Sequence, residues 1–416
     1  MMQALYSLAT WLAQPLVRRK LKRRARVEPL YGHAVEQRFG FYDTPPLSGE
    51  GPGCVWVHAV SLGETRAAAV LIAGLRQRYP AMRLLLTHGT ATGWEQGAAL
   101  LQEGDLQTWL PWDTPGAVQR FLAHFKPRMG LLMETEVWPN LVAACRASGV
   151  PLCLVNARMS EKSVRQALRL RRLAFAAYSG LHTVLAQTEQ DAQRLRALGA
   201  TVNAITGNLK FDATPDAALV QSGRTWHGAH YKPVLMFTSS REGEEQLLID
   251  ALKAHPVADV QWLVVPRHPQ RFDAVAALFV AAGFTLSRRS TWSDAPVDAD
   301  IWLGDSLGEM ALYYGLADAA LLGGSFAPLG GQNLIEAAAC GCPVLMGPHT
   351  FNFAQAAEMA EEAGAAMRCA DISDAVQRGQ ALLCDAGAVA QARQTALGWA
   401  QAHRGATQRT LDALPA

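Results

Sequence analysis

The sequence predicts an α/β protein with two domains, each built on a parallel β-sheet covered by helices. Its 416 residues are enough for two or three domains, and a content of 50% hydrophobic and 18% charged residues is typical of globular proteins. Uninterrupted apolar runs of strand length alternate with helical stretches, which indicates strands that are buried on both faces. This alternation occurs in two series with a pause between them. The composition excludes an intrinsically disordered chain, a collagen-like repeat and a small disulfide scaffold.

The N-terminal segment, residues 1–40, predicts association with a membrane. Residues 1–17 are mostly apolar, but they are fewer than the roughly 20 residues that a bilayer span needs. Seven basic residues and no acid follow at 18–26, and this order is the reverse of that in a secretory signal. We therefore expect a helix that lies in, or barely enters, the cytoplasmic leaflet of a membrane, where anionic lipids attract the basic residues. The alternative is an ordinary solvated helix with a basic face.

The remaining charges and the cysteines point to no nucleic acid and no metal. Outside residues 18–26 the chain has more acidic than basic residues, so a basic nucleic-acid-binding surface is not expected. The seven cysteines are scattered among apolar runs, and none has metal-binding spacing. We interpret them as buried reduced thiols.

The two series of apolar runs define the predicted domains. The first domain, at 41–212, has predicted strands at 55–60, 83–87, 129–133, 152–155 and 183–186. A polar linker with Gly and Pro is expected at 213–232. The second domain, at 233–416, has predicted strands at 234–238, 262–265, 301–303, 319–322 and 344–346 and a helical tail at 370–412. Such series predict two Rossmann-like domains facing a cleft, with ligands beyond the carboxyl ends of the strands.

In the first domain, acidic residues follow two of the predicted strands. Glu64 closes the run Ser61-Leu62-Gly63-Glu64, where it is either a helix cap or a carboxylate that takes a proton from a hydroxyl. Glu134 and Glu136 precede Trp138-Pro139, and paired acids at a strand end favour a functional role over a purely structural one. Lys210 closes the domain with a cation that is either catalytic or simply solvated.

The second domain has the pattern of a nucleotide site. Arg267 and His268 stand between two prolines after one strand, a position suited to a phosphate or carboxylate. The most informative run is 323–336, where glycines flank Ser325, a predicted donor-binding residue, and precede a helix whose amides are expected to bind a phosphate. Glu336, near the start of that helix, is expected to accept hydrogen bonds from ribose hydroxyls. The alternative is a glycine-rich turn with an acidic first helical turn.

Several common nucleotide motifs are missing from the sequence. The glycine-rich run has no Walker lysine, and the chain has no G-x-G-x-x-G Rossmann fingerprint, no D-x-D pair and no H-E-x-x-H. A nucleotide-binding domain without an evident metal site favours group transfer over hydrolysis of a phosphate bond.

Five segments strongly resemble, in the same order, the 3-deoxy-D-manno-octulosonic acid (Kdo) transferases of Gram-negative bacteria. These segments are 56–64, 133–140, 207–212, 266–269 and 323–348. The resemblance implies a GT-B glycosyltransferase fold with an N-terminal acceptor domain and a C-terminal donor domain. It also implies transfer of Kdo from CMP-Kdo to a lipid A precursor, lipid IVA, with inversion and without a cofactor or metal.

The resemblance assigns roles to individual residues. Glu64 matches the general base, and Glu134 and Lys210 match positions that stabilise the transition state. The residues that match CMP-contacting segments are Arg267, His268, Gly308, Glu309, Met310, Asn333, Leu334, Ile335 and Glu336. Glu309 also closes a second Ser-Leu-Gly-Glu run, where a capping role is favoured. Gln332 stands where relatives commonly have histidine, so a titrating group is not expected there.

Two alternatives stay open at this stage. The first keeps the same fold in a transferase or an epimerase that acts on another nucleotide sugar, because fold alone does not decide substrate. The second is a non-catalytic membrane protein that binds a nucleotide sugar. Against it, acidic and basic groups follow strands in both predicted domains, whereas a binding module needs only one.

Overall fold

Two compact units make up the structure, a computed structural model that describes residues 1–44, 53–256, 259–293 and 295–415. The first unit comprises 1–212 together with 405–416, and the second comprises 213–404. The sequence places residues 405–416 in the second domain, whereas the structure packs them on the first unit. The reason is a specific contact: the carboxylate of Asp212 accepts hydrogen bonds from the backbone N–H groups of Gly405 and Thr407.

The first unit is a seven-stranded parallel sheet with the order β3-β2-β1-β4-β5-β6-β7. In chain order its elements up to residue 212 are α1 (Met2–Leu12), α2 (Gln14–Arg24), β1 (Cys54–His58), α3 (Leu62–Arg78), β2 (Arg83–His88), α4 (Ala91–Ala98), β3 (Leu106–Trp109), α5 (Pro115–Phe125), β4 (Pro127–Met133), α6 (Pro139–Ala147), β5 (Leu152–Ala157), α7 (Glu161–Leu168), α8 (Arg171–Tyr178), β6 (Thr183–Ala186), α9 (Glu189–Ala197) and β7 (Val202–Ile205). Short 3₁₀ turns lie at Pro29–Gly32, Val35–Phe39 and Leu209–Asp212.

The second unit is also a seven-stranded parallel sheet, with the order β10-β11-β9-β8-β12-β13-β14. Its elements are α10 (Ala217–Gly228), β8 (Val234–Ser240), α11 (Glu244–Ala254), β9 (Gln261–Pro266), α12 (Phe272–Ala281), β10 (Leu286–Arg288), β11 (Ile301–Leu303), α13 (Met310–Leu316), β12 (Ala319–Leu322), α14 (Leu334–Ala339), β13 (Val344–Met346), α15 (Ala354–Glu362), β14 (Ala366–Arg368), α16 (Ile372–Leu383) and α17 (Ala386–Ala402). Its 3₁₀ turns are Pro269–Arg271 and Arg289–Thr291, and the last helix, α18 (Ala406–Ala413), belongs to the first unit.

The predicted strands match ten of the fourteen observed strands, and the four that the sequence missed are all edge strands of the two sheets: β3, β7, β10 and β14. In β7 half-buried residues alternate with exposed ones, and the other three are also partly exposed. An edge strand has fewer covered neighbours, so it lacks the uninterrupted apolar run by which an interior strand is recognised.

The predicted polar linker at 213–232 is largely helical in the structure. It contains α10, which begins at the capping carboxylate of Asp216 and packs closely against α13. A Cβ atom on Gly223 would lie 2.1 Å from the carbonyl oxygen of Leu312, and one on Gly315 would lie 2.3 Å from that of Val220. Gly223, one of the residues that suggested a linker, therefore permits two helix backbones to approach each other, together with Gly315 on the partner helix.

The core of the first unit lies on both faces of its sheet. Val55 and Val57 of β1 contribute to one buried cluster, and Cys54 and Trp56 contribute to the other, as the alternation of side chains along a strand requires. Six of the seven cysteines are buried, and Cys384 is exposed.

Two histidines end β1 and β2 inside this core. His58 and His88 are fully buried, and burial lowers their pKa values to about 3 and about 4. The Nδ1 atom of His58 lies 3.1 Å from the carbonyl oxygen of Thr87, and that of His88 lies 2.9 Å from the carbonyl oxygen of Ala59. Within the described ranges neither Nε2 atom has a hydrogen-bond partner, so an added proton would be unsatisfied.

Candidate active site

The order of the first sheet changes direction at β1, which lies between β2 and β4. The loops that follow β1 and β4 therefore leave the carboxyl edge of the sheet in opposite directions, and ligands of such sheets bind at this switch point. Glu64 lies in the first turn of α3, which follows β1, and Glu134 comes directly after β4. The topology thus brings two predicted site residues to the place where a ligand is expected.

Glu64 makes the contacts of a capping box and also has a raised pKa. Its carboxylate accepts hydrogen bonds from the backbone N–H of Val60 at 2.8 Å and from the hydroxyl of Ser61 at 3.1 Å. Burial, together with the nearby charges of Glu134 and Glu136, raises the pKa of Glu64 to about 7 despite these bonds. Because the pKa lies near neutral pH, this carboxylate is suited to accept a proton from a substrate. The two sequence interpretations of Glu64 are therefore compatible.

Glu134 is a buried carboxylate that holds two cations. One oxygen accepts a hydrogen bond from Nε of Arg158 at 2.6 Å, and the other accepts one from Nζ of Lys210 at 3.1 Å. Burial alone would raise the pKa of Glu134, but Lys210 and Arg158 outweigh it and keep the pKa below its usual range. The side chain of Lys210 is 19% exposed and that of Arg158 is 48% exposed, so both cations are accessible from the solvent.

The backbone around this cluster has unusual conformations. Glu134 and Asn156, at the ends of the adjacent strands β4 and β5, have φ values of 59° and 51°. The left-handed region is uncommon for residues other than glycine, and such residues concentrate at functional sites. The amide oxygen of Asn156 accepts a hydrogen bond from the backbone N–H of Leu209 at 3.0 Å, which fixes the 3₁₀ turn that carries Lys210.

Sequence reasoning assigned no role to Arg158 or Asn156. A signal was present, since both follow a predicted strand and Asn is one of the few residues that tolerate the left-handed region. What the sequence lacked was the pairing of Arg158 with Glu134, which are 24 residues apart. Glu136 is the third acid of the cluster: it accepts a hydrogen bond from the indole N–H of Trp138, and burial raises its pKa.

In the second unit, the direction of the sheet changes between β8 and β12. The loops after β8 and the adjacent β9 carry Arg241, Arg267, His268 and Arg271. Burial lowers the pKa of His268, and the three arginines lower it further. Arg271 is neutralised by buried Glu245, at 2.7 and 3.0 Å, and the Nε atom of Arg267 donates a hydrogen bond to the side chain of Gln332. This edge therefore has a positive potential that suits an anion.

The backbone of the glycine-rich loop has a partner that the sequence did not indicate. The carboxylate of Glu244 accepts hydrogen bonds from the backbone N–H groups of Gly324 at 2.7 Å, Phe326 at 3.1 Å and Ala327 at 3.2 Å. The phosphate is expected at the amides that begin α14, which are different groups, so this contact leaves that expectation unchanged. Ser325, expected to contact the donor, is fully buried, and its hydroxyl donates to the carbonyl of Leu322 and accepts from the N–H of Gly347. We therefore assign Ser325 and Glu244 to the support of this loop.

The other predicted donor residues lie at the carboxyl edge of the second sheet. Asn333 caps α14 by accepting a hydrogen bond from the N–H of Ile335, and Leu334 and Ile335 are both buried. Glu336 lies half-buried in the first turn of that helix.

The run after β11 has a mixed outcome. Gly308 has a φ of 82°, and Met310 begins α13. Glu309 accepts hydrogen bonds from Arg289 at 2.8 Å and from the hydroxyl of Ser306, but its side chain makes no capping hydrogen bond to α13, so the capping role that the sequence favoured is not observed. Across the described part of the chain, no group of three or more His, Cys, Asp or Glu side chains could hold a metal ion.

Comparison with known proteins shows which family the chain belongs to. A family model described as 3-deoxy-D-manno-octulosonic-acid transferase matches residues 33–213. A 3-deoxy-D-manno-octulosonic acid transferase of Bordetella pertussis is 48% identical over 427 aligned residues, which cover 99% of this chain and 98% of that protein. The chain belongs to the Kdo transferase family. A Kdo transferase of Haemophilus influenzae is 32% identical, with 98% of this chain and 97% of that protein covered.

Membership in the Kdo transferase family identifies the protein as a glycosyltransferase and confirms the resemblance seen in the sequence. The fold agrees: the structure of Anabaena HepE in complex with UDP has a TM-score of 0.58 at 15% identity, with 87% of this chain and 100% of that chain covered. At this identity the likeness concerns the fold alone. It confirms the GT-B architecture of two Rossmann-like parallel-sheet domains.

Proposed function

We propose that the protein transfers Kdo from CMP-Kdo to the lipid A precursor lipid IVA, with inversion at the anomeric carbon and with Glu64 as the general base. The observation that carries this proposal is the pKa of about 7 at Glu64, a carboxylate located at the switch point of the first sheet. Membership in the Kdo transferase family supports Kdo as the transferred sugar.

The proposed reaction is a single displacement. An acceptor hydroxyl attacks the anomeric carbon of Kdo while the bond between that carbon and the phosphate oxygen of CMP breaks. The hydroxyl proton goes to the carboxylate of Glu64, and CMP leaves with the electron pair. Attack from the face opposite the leaving group requires one base and inverts the configuration. A raised pKa at Glu64 supports this role, because a base of ordinary glutamate pKa would be less able to take the proton.

Cations in both units support the stabilisation of charge in this reaction. In the second unit, Arg241, Arg267 and His268 suit the phosphate of CMP, and Glu336 suits the ribose hydroxyls. In the first unit, the ammonium of Lys210 and the guanidinium of Arg158 are oriented by Glu134, so they suit the anionic groups of the sugar or the acceptor. Preorganised donors of this kind are each worth roughly 3–4 kcal/mol of transition-state stabilisation. We propose on this basis that the reaction needs no metal and no cofactor.

We also propose that the protein works at the cytoplasmic face of the inner membrane, where anionic lipids are its partners. A search of the described helices finds none long and apolar enough to cross a bilayer. The apolar helix α1 and the basic residues of α2 support a peripheral contact instead, because such a segment lies in the plane of the membrane interface.

The test is mass spectrometry of lipid IVA after incubation with CMP-Kdo and the purified chain. We expect the acceptor to gain the mass of one or more Kdo residues, and the spectrum also counts them. Glu64→Gln, which keeps the shape of the side chain, is expected to leave the acceptor mass unchanged while CMP still binds. An unchanged acceptor with the wild-type chain, or CMP release that does not depend on the acceptor, would contradict the proposal.

A further inference from the structure

The polarity of α1 is inverted relative to an ordinary surface helix. Two of its polar side chains face the protein: the hydroxyl of Tyr6 donates a hydrogen bond to Asp113 at 2.9 Å, and that of Ser7 donates to Asn140 at 2.8 Å. Its apolar side chains face outward, with exposed fractions of 53–60% at Leu5, Leu8, Trp11 and Leu12. A helix in contact with water shows the opposite arrangement, so the outer face of α1 is built for an apolar surrounding.

This helix is attached firmly to the first unit. Asp113 is buried, and besides Tyr6 it accepts hydrogen bonds from the backbone N–H groups of Asn140 at 3.0 Å and Leu141 at 2.8 Å. The indole N–H of Trp112 adds a bond to the carbonyl oxygen of Thr10 at 2.8 Å. Because Asn140 and Leu141 begin α6, which follows the loop with Glu134 and Glu136, α1 is fixed next to the elements of the candidate active site.

A helical hairpin beside α1 also has a surface with exposed apolar side chains, and this surface carries exposed cations. The helices α7 and α8 form a hairpin at 161–178, and α8 contacts α1. Five cations of this hairpin are exposed, and the structure records no ion pair for them within its described residues: Lys162, Arg165, Arg169, Arg171 and Arg172. The hairpin has one acid, Glu161, which pairs with Arg194 at 3.3 Å. Leu168 and Leu170 add exposed apolar side chains, at 41% and 53%.

We propose that the α7–α8 hairpin is a second membrane contact, which binds the same anionic bilayer surface as α1. The argument is charge complementarity: five unpaired cations with two exposed leucines match anionic headgroups above acyl chains. The eleven residues of α1 measure about 16 Å, too short to cross a bilayer core, so α1 lies along the surface and brings the adjacent hairpin to the headgroups. This inference rests on the proposed membrane location and extends it from one segment to a face of the first unit.

Binding of the purified full chain to vesicles tests this inference. The vesicles are made of phosphatidylcholine alone or of phosphatidylcholine mixed with phosphatidylglycerol. The variant Arg169→Gln/Arg171→Gln/Arg172→Gln is expected to bind the anionic vesicles about 100-fold more weakly than the wild-type chain, because each cation near such a surface contributes about fivefold. Its binding to phosphatidylcholine is expected to be unchanged, since α1 is intact.

A control removes the same charge elsewhere. Arg83→Gln/Lys126→Asn/Lys253→Gln alters three exposed cations outside both helices, and it is expected to bind anionic vesicles nearly as the wild-type chain does. Leu5→Ser/Leu8→Ser/Leu12→Ser is expected to lose binding to phosphatidylcholine vesicles and to keep weaker binding to the anionic vesicles through the hairpin. If the hairpin variant and the control bind anionic vesicles equally, the inference is wrong.

Kdo transfer in detergent separates this inference from the proposed function. The hairpin variant is expected to keep wild-type transfer rates when the acceptor is dispersed in micelles, which also shows that it is folded. If the wild-type chain transfers no Kdo but shows the expected vesicle binding, the proposed activity is wrong and the membrane contact of the α7–α8 hairpin is supported. If transfer is normal and the hairpin variant still binds anionic vesicles as tightly as the wild-type chain, the proposed membrane contact of the hairpin is wrong and the proposed activity is not affected.

Discussion

The pKa of Glu64 predicts how the reaction rate depends on pH. If Glu64 is the general base, kcat/KM follows the ionised fraction of its carboxylate. With a pKa of about 7, that fraction is about one-tenth at pH 6 and about nine-tenths at pH 8, so the rate rises about tenfold. A glutamate with the ordinary pKa of about 4.3 is almost fully ionised at both values, and the rate would then be nearly constant.

The acids next to Glu64 allow a second test of the same pH dependence. Because the charges of Glu134 and Glu136 help to raise the pKa of Glu64, Glu136→Gln is expected to move the rise in rate to lower pH. Glu358→Gln, at an exposed position of α15 in the second unit, is expected to leave the profile in place. Glu64→Gln is expected to lower kcat/KM by roughly 100-fold or more and to abolish the pH dependence.

The assay measures initial rates of Kdo transfer to acceptor in detergent between pH 5 and pH 9. Acceptor is kept well below its KM, so that the rate reports on the free enzyme. A flat wild-type profile between pH 6 and pH 8 would refute the reasoning. The same holds if Glu64→Gln retains the rise in rate, because the titrating group would then be another residue.

Three further predictions concern other parts of the structure. Arg158→Gln removes one of the two cations on Glu134, so kcat is expected to fall about 100-fold with unchanged CMP affinity. The control Arg146→Gln on α6 is expected to have no effect, so equal kinetics in the two variants would contradict the role assigned to Arg158. Glu244→Gln removes the charge that holds three loop amides, so calorimetry is expected to show a lower melting temperature and a lower CMP affinity. The control Glu242→Gln, at an exposed neighbouring position, is expected to change neither. Retained CMP binding in Glu244→Gln would contradict the role of Glu244 in supporting the loop. His58 and His88 have lowered pKa values, so the first unit is most stable above pH 6.5, and its free energy of unfolding falls by about 2 kcal/mol per histidine as the pH falls to 5. Urea unfolding followed by tryptophan fluorescence measures this decrease, and His88→Gln is expected to halve it.

The sequence predicted the interior of both sheets and the location of the acids. All ten predicted strands are present, because an interior parallel strand is apolar along its whole length and this property is visible in the chain itself. Glu64 and Glu134 were found by the rule that functional residues follow the carboxyl ends of such strands. The edge strands β3 and β7 were missed, since their partly exposed residues lack this pattern.

The sequence could not predict which partner each polar group would take. The backbone N–H groups of Gly324, Phe326 and Ala327 are held by Glu244, which is located 80 residues before Gly324, and nothing in the local sequence indicates this partner. Gly223 on α10 was among the residues that suggested a linker, but together with Gly315 on α13 it allows the two helices to pack closely. In each case the local sequence is the same under both interpretations, and the deciding contact is long-range.

The amino-acid sequence by itself determined the α/β class, the two Rossmann-like units and the family, because hydrophobic periodicity and ordered motifs are local properties of the chain. Only the tertiary structure decided the protonation of Glu64, the clamping of Lys210 and Arg158 by Glu134, and the inverted orientation of α1. These features depend on burial and on distances between residues far apart in the chain. Burial and distance set the strength of electrostatic interactions, and they exist only once the chain has folded.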